Sequence, residues 1–295
     1  MQKIIPNIWC NGTAEEAGRF YADALPGGAT QVTSRYPTEG LLDFQEPLAG
    51  QALTVDVTIG DFRFSLINAG PEFRPNPSIS FMVNFDPLMF DGDPAAARDA
   101  LDAVWAHLSD GGEVLMPLQE YPFSQRYGWV QDRFGFTWQL TLTDPTGDPR
   151  PFIITALTFV GRSDGRAREA VERYTSLFPD AAVGTVMPFP GEERVMFSEF
   201  RVGDQWFTAM DGGATDHEWF FDCGVSLEVR CADQAEIDTY WDALSAVPEA
   251  EQCGWLADEF GVSWQIVPEN MGELMTRPQA FEHMLQMKKL VIADF

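Results

Sequence analysis

The sequence predicts an α+β fold made of four βαβββ modules in two pairs. Three observations carry that expectation: an internal repeat, a strand–helix–hairpin order that recurs within each copy, and a proline-rich break between the copies. Tyr127–Gln139 (YGWVQDRFGFTWQ) returns as Cys253–Gln265 (CGWLADEFGVSWQ), with seven identical positions at a constant offset of 126. Asp102–Ser109 is echoed by Asp238–Ser245, Gly60–Phe64 by Gly203–Phe207, and Glu16–Pro26 by Glu169–Pro179. Matches in one order along the chain mean that a whole domain was duplicated. Between the copies, Thr143–Pro151 holds three prolines and a glycine, which read as a linker.

Each element of the first copy can be justified in turn. Residues 4–10 form a short apolar run, a first strand. Thr13 with Glu16 then makes a capping box that opens a helix, and Ala17, Phe20, Tyr21, Ala24 and Leu25 line one face of it. Strands follow near 29–36, 52–59 and 62–68, the last two joined at Gly60-Asp61 as a tight hairpin. The order then repeats. Residues 79–85 read as a strand, and Asp93-Pro94 opens a helix whose apolar face is Leu101, Val104, Trp105 and Leu108. Strands near 112–117, 125–132 and 136–142 close the module. The second copy offers a strand at 153–160, a helix at 165–178, a hairpin at Gly203-Asp204, a strand at 224–231, a helix capped by Asp233 with Glu236, and closing strands.

Composition narrows the partners. The chain has 295 residues and a formal net charge of −26, and both halves are acidic: 9 basic against 20 acidic residues up to Arg150, 10 against 25 after it. Such a surface repels phosphate backbones and anionic lipid, so neither nucleic acid nor membrane is an expected partner. It would suit a cationic ligand, but it equally serves solubility. The four cysteines (Cys10, Cys223, Cys231, Cys253) lack metal-finger spacing and the density of a disulfide scaffold. No signal-peptide pattern and no apolar run of about 18 residues occur, so a cytoplasmic protein is expected.

Four βαβββ modules in two pairs resemble the vicinal oxygen chelate superfamily of glyoxalases, extradiol dioxygenases and bleomycin-resistance proteins. Ala14–Tyr21, Ala69–Phe73, Ile79–Val83 and Cys253–Pro268 look like its PhnB-like branch, which often carries the description 3-demethylubiquinone-9 3-methyltransferase domain. The resemblance implies two glyoxalase/bleomycin-resistance-like domains with cupped mixed sheets: a first at 1–146, a linker at 147–151, and a second at 152–295. A C-terminal helical tail is implied around Met284–Lys289.

It also implies where a metal would sit, on the first and last strands of each module. Those positions transfer to Asn7 (or Ile5), Ser65, Ser78 and Gln139 in the first half, and to Thr155, Thr208, Gly224 and Gln265 in the second. None is a histidine or a carboxylate, and neutral amides and hydroxyls are poor transition-metal ligands. His107, His217 and His283 lie elsewhere. No conventional metal site and no cofactor are therefore expected. The methyltransferase description fares no better, because no GxGxG turn follows a strand, where a nucleotide-derived methyl donor would sit.

The expected function is thus the binding of a small apolar or aromatic molecule in a cupped sheet. Asn7, Ser65, Ser78, Gln139, Thr155, Thr208 and Gln265 are the polar candidates, and Trp129, Trp138, Trp255 and Trp264 line either the cup or the core. The alternatives are a metal-dependent lyase, isomerase or dioxygenase, and sequestration of a cationic antibiotic or toxin. Arg74, Arg126 and Tyr127 are further candidates for an anionic substrate, and His217 beside Asp216 for a general base. Four modules in one chain allow an internal pseudo-dimer, and a homodimer is compatible.

Overall fold

The computed structural model describes residues 2–41, 45–144, 146, 150–213 and 217–295. Four modules follow one another along the chain. The first is β1 (Ile4–Asn11), α1 (Ala14–Ala24), β2 (Gly28–Arg35), β3 (Ala52–Ile59) and β4 (Phe62–Ala69). The second is β5 (Ile79–Phe85), α2 (Pro94–Leu108), β6 (Glu113–Tyr121), β7 (Ser124–Gln131) and β8 (Thr137–Leu142). The third is β9 (Ile153–Phe159), α3 (Ala167–Leu177), β10 (Ala182–Pro188), β11 (Val195–Val202) and β12 (Gln205–Asp211). The fourth is β13 (Val225–Cys231), α4 (Gln234–Leu244), β14 (Trp255–Ala257) and β15 (Ser263–Pro268), followed by the short helices α5 (Met271–Leu274) and α6 (Ala280–Gln286).

The chain forms two compact units, and neither corresponds to one sequence repeat. Unit 1 is Met1–Asp23, Gly27–Arg74 and Phe221–Phe295; unit 2 is Ala24–Pro26 and Pro75–Phe220. Unit 1 joins the first module to the fourth in a seven-stranded mixed sheet, β14-β15-β13-β1-β4-β3-β2. Unit 2 joins the second to the third in an eight-stranded mixed sheet, β10-β11-β12-β9-β5-β8-β7-β6. At both seams the first strands of two modules pair antiparallel: β1 with β13 (Asn7 opposite Ser226) and β5 with β9 (Ser80 opposite Ala156). The expected spans 1–146 and 152–295 thus describe the duplication, whereas each sheet draws on both copies. Residues 147–149 of the expected linker lie outside the described residues.

Helix starts follow the capping signals. Asp93 accepts from the backbone N–H groups of Ala95 and Ala96 with Pro94 in the first turn, and Asp233 accepts from Glu236 N at 2.9 Å. Gly60 and Gly203 take positive φ (56° and 58°) at the hairpins Ile59–Phe62 and Val202–Gln205, as those tight turns require. The fourth module has one strand fewer than the second. Ten residues (245–254) separate α4 from β14, against fifteen (109–123) between α2 and β7, too few for a strand and a return. The C-terminal tail stands in its place: Cys253 N and Gly254 N donate to Met287 O and Lys288 O, covering the edge of the sheet. The tail helix therefore ends at Gln286, earlier than the implied 284–289, because residues 287–288 are extended along that edge. Leu274, Ala280, Leu290 and Phe295 form the tail's own apolar cluster.

Alternation along the strands separates two faces of each sheet. One is apolar and covered by helices. In unit 2 it carries Phe81, Phe136 and Trp138, whose rings meet edge to face with centroids 4.7–5.4 Å apart. In unit 1 it carries Phe64, Leu66, Val57, Leu227 and Trp264, all buried. The repeated motif is a structural staple on this face. Asp132 Oδ1 accepts from Phe134 N and Phe136 N, and its Oδ2 accepts from Trp138 Nε1 at 2.8 Å. Asp258 repeats this with Phe260 N, Val262 N and Trp264 Nε1 at 2.9 Å each. Gly135 and Gly261, at φ 91° and 92°, supply the turn that each carboxylate encloses.

Gly224, one of the positions transferred from the metal-using relatives, has a steric role. A Cβ there would collide with the Arg74 backbone carbonyl, while its own carbonyl accepts from Trp9 N at 3.0 Å. Gly224→Ala is expected to lower unfolding free energy by about 1–3 kcal/mol in urea denaturation. An unchanged midpoint would mean the chain yields there at no cost.

Candidate functional site

The opposite face of each sheet, called the helix-free face because α1–α4 lie on the other side, is polar along its centre, and in unit 1 the tail's apolar cluster packs on its border at Val267, beside Arg230. In unit 1, β1 presents Ile5, Asn7 and Trp9 there, β13 presents Ser226, Glu228 and Arg230, and β4 presents Arg63 and Ser65. Asp56 on β3 lies opposite Ser65, and Gln265 on β15 lies beside Glu228 and opposite Trp255. Such residues interrupt apolar runs at alternate positions, so they leave the helix-covered face intact.

Four charged groups form two ion pairs on this floor. Arg63 Nε lies 2.8 Å from Asp56 Oδ2, although its N–H is not aligned on that oxygen, and Arg230 Nε donates to Glu228 Oε1 at 2.8 Å. Burial is the main cause holding the Asp56 carboxyl above its usual range, with Arg63, Ser65 and Arg230 drawing it back. Asn7 Nδ2 donates to Glu228 Oε2 at 3.2 Å and to Ile5 O at 3.0 Å. Both partners are acceptors only, which fixes the amide orientation. Asn7 Oδ1 is left buried without a hydrogen-bond partner. Gln265 Nε2 donates to Ser226 Oγ at 2.9 Å. Trp9 meets Phe73 and Trp255 edge to face at 5.1 and 6.0 Å between centroids, an aromatic border to the floor.

Unit 2 keeps the frame and changes its chemistry. Strand register places Ala156 where Asn7 stands, Thr208 for Ser65, Ser80 for Ser226, Gln139 for Gln265, Met82 for Glu228, Trp206 for Arg63 and Glu199 for Asp56. Gln139 Nε2 donates to Ser80 Oγ at 2.8 Å, and its Oε1 accepts from Tyr127 Oη at 2.7 Å. Burial pushes the Tyr127 phenol well up, so it stays protonated and donates. Ser80 accepts from the amide through its oxygen, which leaves its own O–H to donate toward the face. Trp129 Nε1 and Thr208 Oγ1 are buried there without a hydrogen-bond partner among the described residues. Glu199 is held by Arg150 through two hydrogen bonds, at 2.7 and 3.2 Å, and the Arg150 guanidinium lies 5.7 Å from the Trp206 ring.

These placements sort the candidates. Asn7, Ser65, Trp255 and Gln265 share the helix-free face of unit 1; Trp129, Gln139 and Thr208 share that of unit 2. Trp138 and Trp264 belong to the helix-covered face, bonded to the stapling aspartates. Thr155 is on that face too, since its neighbour Ala156 is the one opposite Ser80; a single residue of offset turns a strand side chain over. Ser78 precedes β5, and Ser80 occupies the position assigned to it. Arg126 is engaged by Asp102 through Nε and Nη2 at 2.8 and 2.9 Å. His217 lies 4.6 Å from the Trp219 ring, and its neighbour Asp216 is outside the described residues.

The groups that the sequence reading missed are Asp56, Arg63, Glu228 and Arg230 in unit 1, and Ser80, Arg150 and Glu199 in unit 2, while Tyr127, expected to meet an anionic substrate, donates to Gln139. The unit 1 signal was present in LTVDVTI, FRFS and SLEVRC, where a polar or charged residue recurs at every second position of an apolar strand.

The positions at which the resemblance implies metal ligands, shifted to the observed strand register, carry Asn7, Ser65, Ser226 and Gln265 in unit 1, and Ala156, Thr208, Ser80 and Gln139 in unit 2. A neutral set of amides, hydroxyls and one methyl does not fit a divalent transition metal. Among the described residues no group of three or more His, Cys, Asp or Glu side chains is arranged to hold an ion.

Comparison with known proteins agrees with this frame. Residues 2–141 and 151–267 match the family described as 3-demethylubiquinone-9 3-methyltransferase. The PhnB protein of Bacillus cereus is 30% identical over 48% of this chain and 100% of its own, with a TM-score of 0.40. Glyoxalase I of Zea mays, 11% identical, covers 92% of this chain and 94% of its own with a TM-score of 0.50, a likeness of fold alone. No curated protein matches the chain.

Proposed function

The chain belongs to the 3-demethylubiquinone-9 3-methyltransferase family through both of its halves, and from that premise we propose that it is a PhnB-like protein that binds a small apolar or aromatic molecule on the helix-free face of unit 2. The observation that carries the reading is the pair of buried, unpartnered polar atoms, Trp129 Nε1 and Thr208 Oγ1, set on one face with the Tyr127–Gln139–Ser80 chain. A buried polar atom without a partner costs about 1–3 kcal/mol. A ligand that offers an acceptor to the indole N–H and the Ser80 hydroxyl removes part of that cost. Trp129, Trp206 and Met82 supply apolar contact around those polar points, the usual composition of a small-molecule site.

The methyl transfer that the family's description names is not carried over. The strand-to-helix connections after β1, β5, β9 and β13 contain no Gly-rich phosphate-binding pattern of the kind a nucleotide-derived methyl donor uses. Among the described residues no helix is long and apolar enough to cross a membrane. A cytoplasmic location is part of the proposal, supported by four free thiols. So is the absence of a nucleic-acid partner, supported by the net charge of −26.

The test uses 2-naphthol and indole as probes in thermal-shift and ligand-observed NMR titrations. Saturable stabilisation that grows with ligand concentration is expected. Trp129→Phe and Gln139→Leu should each weaken 2-naphthol by at least about tenfold, a loss of roughly 1.4 kcal/mol. Equal affinity in both folded variants, or no saturable binding of either probe, would overturn the assignment.

A further inference from the structure

Unit 1 has the same floor with different groups on it, and their differences point to a different ligand. Asp56, Arg63, Glu228 and Arg230 sum to zero charge and form two pairs. Arg230 Nε donates to Glu228, Arg63 Nε lies 2.8 Å from Asp56 Oδ2 with its N–H turned off that oxygen, and a guanidinium has five N–H donors, so the terminal nitrogens of both remain for an incoming acceptor. The carboxylates are the more enclosed members, at 14% and 13% side-chain exposure, against 29% and 35% for the arginines. Two buried polar atoms on adjacent strands lack hydrogen bonds: the donor Arg63 Nε on β4 and the acceptor Asn7 Oδ1 on β1. Trp9, two residues beyond Asn7 on the same face of β1, meets Phe73 and Trp255. None of this charge recurs at the equivalent positions of unit 2 except Glu199, which Arg150 already engages.

We propose that the helix-free face of unit 1 binds a zwitterion of the aromatic α-amino-acid type, its carboxylate on the Arg63 and Arg230 guanidinium ends, its ammonium donating to Asn7 Oδ1, and its ring against Trp9 and Trp255. The unpartnered acceptor Asn7 Oδ1 calls for a donor on the ligand, and the open guanidinium ends call for an acceptor. The neutral tetrad and the strongly acidic chain disfavour a net anion, whereas a zwitterion adds no net charge. Arginine suits the carboxylate because its planar fork takes two oxygens. The inference extends the small-molecule reading to the second face but depends on none of the residues of the first.

L-phenylalanine is the probe, titrated into the full chain by calorimetry and by tryptophan fluorescence, with 3-phenylpropionate (no ammonium) and phenethylamine (no carboxylate) as controls. Each control is expected to bind at least about tenfold more weakly than L-phenylalanine. Asn7→Leu, Arg63→Gln and Arg230→Gln should each weaken L-phenylalanine by a similar factor, while Gln139→Leu leaves it unchanged. Arg230, the most exposed of the tetrad, keeps the test usable where Asn7→Leu fails to fold. Controls that bind as well as L-phenylalanine, a folded Arg230→Gln of full affinity, or no saturable L-phenylalanine binding up to about 50 mM would each overturn the proposal. Binding of L-phenylalanine without 2-naphthol, or the reverse, separates this inference from the reading of unit 2.

Discussion

Asp132→Ala lowers the unfolding free energy by about 3–5 kcal/mol, read as a shift in the urea midpoint, and Asp258→Ala does the same in the other unit. Each carboxylate accepts three hydrogen bonds inside the protein, two from backbone N–H groups of the turn and one from an indole. Alanine removes the acceptor and leaves the donors where water cannot replace it, so the loss is that of several charge-assisted bonds at once. The tryptophans also lose the contact that orients them, and Trp138 packs against Phe81 and Phe136 at ring distances near 5 Å. Asp→Asn keeps one acceptor and should recover part of the stability. A change below about 1 kcal/mol in either alanine variant would show that the motif is not a staple.

A larger effect is expected from cutting the chain between its repeats. Residues 1–146 and 152–295, produced separately, should not give folded monomers, because every sheet takes strands from both copies. Fragment 1–146 loses the partner of β1 along Ile4–Ile8 and the partner of β5 along Ile79–Val83. These seams are central in their sheets, and exposing them sacrifices more than the about 5–15 kcal/mol that ordinarily separates folded from unfolded. The fragment is expected to unfold or to pair with itself in analytical ultracentrifugation, and co-production of the two fragments should restore a one-to-one complex. A monomeric fragment with a sharp cooperative transition would contradict the interlocked topology.

Much of this architecture was legible before any coordinates. The repeat at an offset of 126 gave the order of the elements, and Asp93, Asp233, Gly60 and Gly203 marked helix starts and hairpins through local chemistry. Partner choice was not local. The first strands of all four modules are alike in length and apolarity, so nothing in IIPNIWCN or VSLEVRC says which of them pair. The site divided along the same line. Gln139 and Gln265 sit in a long, distinctive motif and were found. Thr155 and Ser78 were assigned by counting along short apolar strands, where a slip of one residue exchanges the two faces and a slip of two leaves the strand. The tetrad carries no such motif: Asp56 and Glu228 are each a single charge between apolar neighbours, beside Ser65 and Gln265 only once the strands pair.

The exchange of modules between the copies also bears on how the two faces could come to differ. Had the chain carried one copy, a sheet made from a first and a second module of separate molecules would require two identical subunits, and twofold symmetry would impose the same residues on both faces. Fusing the copies abolishes that identity. Each face then depends on a unique pair of segments, and a substitution such as Asn for Ala at the positions of Asn7 and Ala156 alters one receptor without touching the other. On the proposal that each face takes its own ligand, duplication widens the range of ligands one polypeptide can discriminate without a new fold.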